Sequence, residues 1–208
     1  MGRKDVDDDI PGNIYSALWN TKITGADKPR LRLAYSILNS VKLPFDTRDS
    51  DIVVRVEENK VYVSEDMFEV GFKFPFPRIV RELFQYLRIA PHQLAPNAWK
   101  IFFTYIIVWP KVLGEGKSLK VQEFLKIYKL GKNPNVDHIF NFQVWKKGKF
   151  MSLTDYSNKK WKSKFFFTQG DWEFSPSKII NDPNIPRETS LPSIAGQKEP
   201  ILDKLEQS

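Results

Sequence analysis

Residues 118–145 read SLKVQEFLKIYKLGKNPNVDHIFNFQVW, and their hydrophobic period changes partway along. Val121, Phe124, Leu125 and Tyr128 recur at the spacing that lines one face of a helix, which predicts a helix over residues 118–130 stopped by Gly131. Past Asn133 and Pro134 the period becomes two. Phe140, Phe142 and Val144 fall on one side and Asn141, Gln143 and Trp145 on the other, as on a strand with one buried face. A segment of each kind in one short stretch predicts an α+β domain.

Upstream, the pattern is helical. Asn97 is placed to cap a helix that is apolar nearly all round from Ala98 to Trp109, with Lys100 and Thr104 its polar interior residues. Such a helix is expected to be buried on most sides, and Pro110 to bend or end it. Over residues 78–89, Ile79, Val80, Leu83, Phe84 and Leu87 form a stripe opposite Arg78, Arg81, Glu82, Gln85 and Arg88, which predicts an amphipathic helix. Residues 90–96 between these two read as a proline-bounded linker.

Leu33, Ala34, Ile37, Leu38 and Val41 predict a further helix over residues 30–41, ended by Leu43-Pro44. The β-branched runs 52–56 and 60–63 read as a hairpin. Ser64, followed by Glu65 and Asp66, reads as the N-cap of a short helix that stops at Gly71. Downstream of Trp145, Lys146, Lys147, Gly148 and Lys149 form a turn. Short strands are expected at 150–153, 164–168 and 172–174, completing a small antiparallel meander.

The expected architecture is α+β: a helical core of about four helices with a small antiparallel β-meander. It occupies residues 29–175, between a flexible acidic N-terminal tail (1–28) and a disordered proline-containing tail (176–208). A hydrophobic content of 41% suffices for a core, and 14% aromatic residues make that core ring-rich.

Cysteine is absent, which removes disulfides, thiolate nucleophiles and zinc knuckles. His92 and His138 are the only histidines, too few for a His-rich metal site; His92 reads as a polar loop residue, and His138 beside Asp137 as a turn pair. Gly-x-Ser-x-Gly, P-loop, dinucleotide-glycine, Asp-Thr/Ser-Gly and Tyr-x-Asp-Asp motifs are all missing. The reading is therefore non-enzymatic, with no cofactor. No signal peptide is evident, Val6 stands where a myristoylation signal needs Ser or Thr, and the longest apolar run is too short to span a bilayer. An intracellular protein of nucleus or cytoplasm, without a membrane partner, is expected.

The net charge is +7, and cations concentrate late in the chain. Lys146, Lys147, Lys149, Lys159, Lys160, Lys162 and Lys164 alternate with Trp145, Phe150, Tyr156, Trp161 and residues Phe165, Phe166 and Phe167. Lysines can track phosphates and rings can stack on bases. Burying a large apolar side chain stabilises a fold by ~1.5–3 kcal/mol, so the rings are assigned to the core and the lysines to a basic rim open to RNA or DNA.

Two blocks also carry a resemblance. The first runs from Phe74 to Trp109 and holds Arg81-Glu82-Leu83-Phe84 and Gln93-Leu94-Ala95-Pro96-Asn97-Ala98-Trp99. The second holds Lys159-Lys160-Trp161-Lys162-Ser163-Lys164-Phe165-Phe166-Phe167, followed by Trp172. Over residues 61–175 the chain resembles the plant domain family of gypsy-type transposases, found in transposon-derived reading frames. The resemblance implies a retrotransposon-derived, Gag-like protein that self-associates and packages nucleic acid. Without a Cys/His knuckle, RNA contact would rest on the lysines. Two alternatives stand beside it: a protein-interaction module that shares the helix beginning at Asn97 with a partner, and a metal-dependent transposase or nuclease fragment.

Overall fold

The structure, a computed structural model, describes residues 21–44, 60–133, 138–145, 164–174 and 185–186. Among the described residues it is an α+β fold of five short-to-medium α-helices and two small antiparallel sheets.

The N-terminal helix is shorter than its periodicity suggests. Thr24 N–H donates to the Asp27 carboxylate at 2.9 Å, opening a 3-10 turn (Gly25–Asp27) that leads into α1 (Lys28–Tyr35). Ser36 adopts a left-handed conformation (φ 53°) and ends it. The Arg32 guanidinium donates to the carbonyls of Ile37 and Leu38 (3.2 and 2.7 Å) and of Val41 (2.7 Å). These bonds fix the turn, so Val41 enters β1 (Val41–Lys42) instead of extending a helix, and Leu33 is left exposed.

The strands do not form one meander. β2 (Lys60–Ser64) pairs antiparallel with β5 (Phe165–Gly170), with Val61 opposite Thr168 and Val63 opposite Phe166. β1 pairs with the other edge of β5, giving the order β1-β5-β2. The second sheet pairs β3 (Tyr128–Lys132) with β4 (Phe140–Val144), Leu130 facing Phe142. β4 and β5, expected in one meander, thus belong to different sheets. The expected strands at 52–56 and 150–153 lie outside the described residues. Residues 172–174 form a turn: Trp172 N–H donates to the Gly170 carbonyl (2.9 Å) while its own carbonyl accepts from Phe76 N–H (3.1 Å).

The predicted helix over 118–130 splits in two. α5 (Val121–Ile127) is capped through Lys120 N–H donating to Glu123 (2.8 Å), and at Tyr128 the backbone turns extended. Tyr128 satisfies both periods, whereas Leu130 lies opposite the helix face of Val121, Phe124 and Tyr128 but on the same face as Tyr128 in a strand, and pairing with β4 selects the strand. Gly131 is therefore not a helix stop. A β-carbon there would sit 2.4 Å from the Gln143 side chain across the sheet.

α2 (Glu65–Glu69) starts at the predicted cap, Ser64 Oγ accepting from Asp66 N–H (3.3 Å), and Gly71 follows with φ +98°. α3 (Arg78–Leu87) buries Val80, Leu83, Phe84 and Leu87 as expected. Arg81, assigned to its polar side, is buried as well. Its Nη1 donates to the carbonyls of Phe76 (2.8 Å) and Glu173 (3.3 Å), and its guanidinium lies 4.8 Å from the Phe174 ring centre. Residues 90–96 are a packed connector rather than a linker. Pro91–Gln93 form a 3-10 turn, and Ala90 through Ala95 are all buried. Ala90 N–H donates to the Gln93 side chain, and Gln93 Nε2 to the His138 carbonyl.

α4 (Pro96–Leu113) begins at Pro96 rather than under an Asn97 cap and continues through Pro110. Its first half is central: Trp99, Phe102 and Phe103 join Phe72, Phe76, Phe84 and Phe124 in edge-to-face and tilted ring contacts 4.6–6.5 Å between centroids. Edge-to-face pairing accommodates the ring quadrupoles, which is how one small core absorbs so many aromatics. Its second half departs from expectation, with Ile107, Val108, Val112 and Leu113 exposed. Ile185 also enters the core, its N–H donating to the buried Glu173 carboxylate (2.7 Å), so the packed unit reaches past residue 175.

Candidate nucleic-acid interface

Of the seven candidate lysines, Lys146, Lys147, Lys149, Lys159, Lys160 and Lys162 lie outside the described residues. Lys164 is described, and its ammonium is engaged by the fold. Nζ lies 3.1 Å from Glu69 Oε1 and 3.5 Å from Asp66 Oδ1, and its carbonyl accepts from Glu65 N–H (2.8 Å).

These acids belong to one cluster on α2. Glu65 is bound by Arg30 (2.5 Å) and by the Tyr35 hydroxyl (2.9 Å), both from α1. Burial pushes the Glu65 carboxyl up, but the Arg30 and Tyr35 bonds and the guanidinium charge outweigh it and hold it below the usual range. Asp66 goes the other way. Burial and the neighbouring Glu69 charge raise its pKa in spite of Lys164. Lys164 is held above the ordinary lysine value, because its bond to Glu69 and the charges of Asp66 and Glu69 exceed its own burial cost. The cluster ties α1, α2 and the start of β5 together. Sequence reading assigned Glu65 and Asp66 only to the helix N-terminus, since their partners stand far away in the chain.

Trp145, the residue before the lysine-rich stretch, is also fixed to the fold. Trp145 Nε1–H donates to the Leu125 carbonyl (2.9 Å), its backbone N–H to the Ile127 carbonyl (3.2 Å), and Lys129 Nζ lies 5.3 Å from its ring centre. Residues 146–163 thus run between two residues pinned to the body of the domain.

The rings of β5 face inward or along the sheet. Phe165 and Phe166 are buried. Phe166 stacks on Phe68 (5.8 Å), Phe165 on Tyr62 (5.4 Å), and the half-buried Phe167 meets Tyr62 edge-on (4.3 Å). Trp172 is buried against Phe76. These rings are core, as their apolar mass required; Trp161, Tyr156 and Phe150 lie outside the described residues.

His92, expected as a polar loop residue, sits in the 3-10 turn Pro91–Gln93 and is packed into the domain. It is buried edge-on to Tyr62 at 6.2 Å, and burial lowers its pKa to about 4. His138 adopts φ +58° and offers its carbonyl to Gln93, while Asp137 lies outside the described residues. Among the described residues, no group of three or more His, Asp or Glu could hold a metal ion, and no helix is long and apolar enough to cross a membrane.

Comparison of the chain with protein-family models, with curated proteins and with solved structures returns no match.

Proposed function

We propose that this chain is a non-enzymatic, transposon-derived, Gag-like protein that binds RNA or DNA electrostatically through residues 146–163 and associates with copies of itself. The observation that carries the reading is the character of that segment. It places six lysines against a single acid, Asp155, between two ends fixed to the fold. Lysines so concentrated contact phosphates without reading sequence, so affinity for a single strand falls with log salt at a slope of about −4 for six contacts. Filter binding of oligo(U) and of duplex DNA across a salt series tests it. Binding that is flat in salt, or unmoved by changing Lys159, Lys160 and Lys162 to Glu, refutes it.

The exposed part of α4 supports the self-association. Ile107, Val108 and Val112 share one face of the helix, with Lys111 among them. The same face favours a second reading, a protein-interaction module with no nucleic-acid role. Sedimentation velocity over a concentration series separates them. A self-associating, RNA-binding chain fits the first. A strict monomer that binds no polyanion but is captured by a protein partner fits the second.

A further inference from the structure

The sheet β1-β5-β2 turns one face to the core. Val41, Val61, Val63 and Phe166 lie in that core and are at most 2% exposed. Their alternating neighbours Lys42, Lys60, Tyr62, Phe167 and Gln169 project from the opposite face. We infer that this outer face is a contact surface for single-stranded nucleic acid, in which Lys42 and Lys60 meet phosphates and Phe167 stacks on a base. This rests on the nucleic-acid reading above for its ligand and deepens it with residues other than 146–163.

Strand register builds the site. Gln169 pairs with Lys42 on one side and with Lys60 on the other, so the three side chains stand abreast. Two strand spacings set the Lys42 and Lys60 backbones about 10 Å apart. Lys42 is exposed, and Lys60 and Gln169 are half-buried. Two residues along β5, about 7 Å away on the same face, stands Phe167. It is also half-buried, and its ring meets Tyr62 edge-on at 4.3 Å. Tyr62 is held in turn by Phe165 (5.4 Å) and His92 (6.2 Å), so a packed wall backs the ring beside the lysines. Among the described strand residues of this face, no acid offsets the two cations.

The row is also set in advance. β1 has two residues, and bonds outside its ladder hold it. The Arg32 guanidinium donates to the Val41 carbonyl (2.7 Å) and Asp171 N–H to the Ser40 carbonyl (3.3 Å). A site already ordered loses less freedom when a ligand settles on it. The combination of groups selects the ligand. An unpaired strand offers phosphates to the lysines and a loose base to the ring. A duplex keeps its bases stacked inside, and an acidic peptide uses the lysines but not the ring.

Anisotropy of fluorescein-labelled oligo(U), titrated with the full chain across a salt series, tests the assignment. Lys42→Gln should lower the magnitude of the salt slope by about 0.7, and Lys42→Gln/Lys60→Gln by about 1.4. Phe167→Leu keeps apolar bulk against Tyr62 and should weaken binding about fivefold or more with the slope unchanged. Phe167→Tyr keeps the ring and should bind as wild type does.

An unchanged slope in the double-lysine variant overturns the inference. So does a Phe167→Leu chain that binds oligo(U) as tightly as wild type. Polyglutamate that competes as well as unlabelled oligo(U) overturns it too, because an anion patch alone ignores bases. The two sites fail separately. If changing Lys159, Lys160 and Lys162 to Glu leaves binding intact while the sheet variants weaken it, the reading based on residues 146–163 falls and the sheet site stands. The reverse pattern sinks the sheet site alone, and a wild-type chain that binds no oligo(U) sinks both.

Discussion

Buried His92 predicts that the domain loses stability in mild acid. Burial lowers the pKa of the folded imidazole from 6.5 to about 4. An unfolded chain therefore binds a proton near pH 6.5 that the folded chain refuses until about pH 4. The stability is fully present above the unfolded value and declines as pH falls through the window between the two. Each pH unit across that window is worth about 1.4 kcal/mol, for a total loss of about 3 kcal/mol. A small domain is stable by about 5–15 kcal/mol, so the loss is large. Two carboxylates act lower down: Glu65 and Asp27, both held below the usual range, lose their contribution as they protonate. Asp66, whose pKa is raised, favours the folded state as it protonates and offsets part of the His92 loss. Urea denaturation followed by tryptophan fluorescence, with Trp99 and Trp172 as buried reporters, measures the trend at intervals between pH 7.5 and 4.5. Wild type should decline steadily below about pH 6.5 while His92→Gln stays nearly flat over the same range. Equal slopes in the two proteins would show that the imidazole is not a buried neutral group and refute the reasoning.

Other consequences are as direct. Arg81→Met removes two hydrogen bonds from a buried cation to the Phe76 and Glu173 carbonyls and should destabilise by about 3 kcal/mol, read as a lower urea midpoint. Gly170 (φ +91°) has the Ser40 carbonyl 2.5 Å from where a β-carbon would sit, so Gly170→Ala should cost about 2–4 kcal/mol. Gly131→Ala meets only the movable end of the exposed Gln143 side chain, so thermal melting should show about 1 kcal/mol or less. Ile107→Glu/Val112→Glu should leave stability within about 0.5 kcal/mol and abolish the concentration dependence of the sedimentation coefficient.

Local signals gave the elements that local physics decides. The Ser64 cap, the α3 stripe and the alternation of Phe140, Phe142 and Val144 were legible because each depends on residues a few positions apart. Where two local readings were equally good, distant partners chose between them. Tyr128 fits a helix face, but pairing with β4 made it part of a strand. Arg81 sat at a surface position of its helix, yet carbonyls from the preceding and following segments draw it inside. The assignment of Phe165 and Phe166 to the core followed from their apolar area. Which strands they pair with did not, since β2 lies a hundred residues upstream. At the candidate interface, the lysine enrichment was visible in composition. The clasp around Lys164 was not, because Arg30, Glu65 and Lys164 share no sequence neighbourhood.

The central place of β5 also governs the order in which the chain can be completed during synthesis. β1 and β2 emerge from the ribosome early, and among the described residues their sheet partner is Phe165–Gly170, which emerges later and with which both pair. Until then Val61 and Val63 present an unpaired, apolar edge, and Phe68 lacks the ring that stacks on it. Nascent chains that stall before residue 165 therefore hold a half-built layer of the kind that recruits chaperones or aggregates. A premature stop in this interval should yield an insoluble product rather than a smaller working domain.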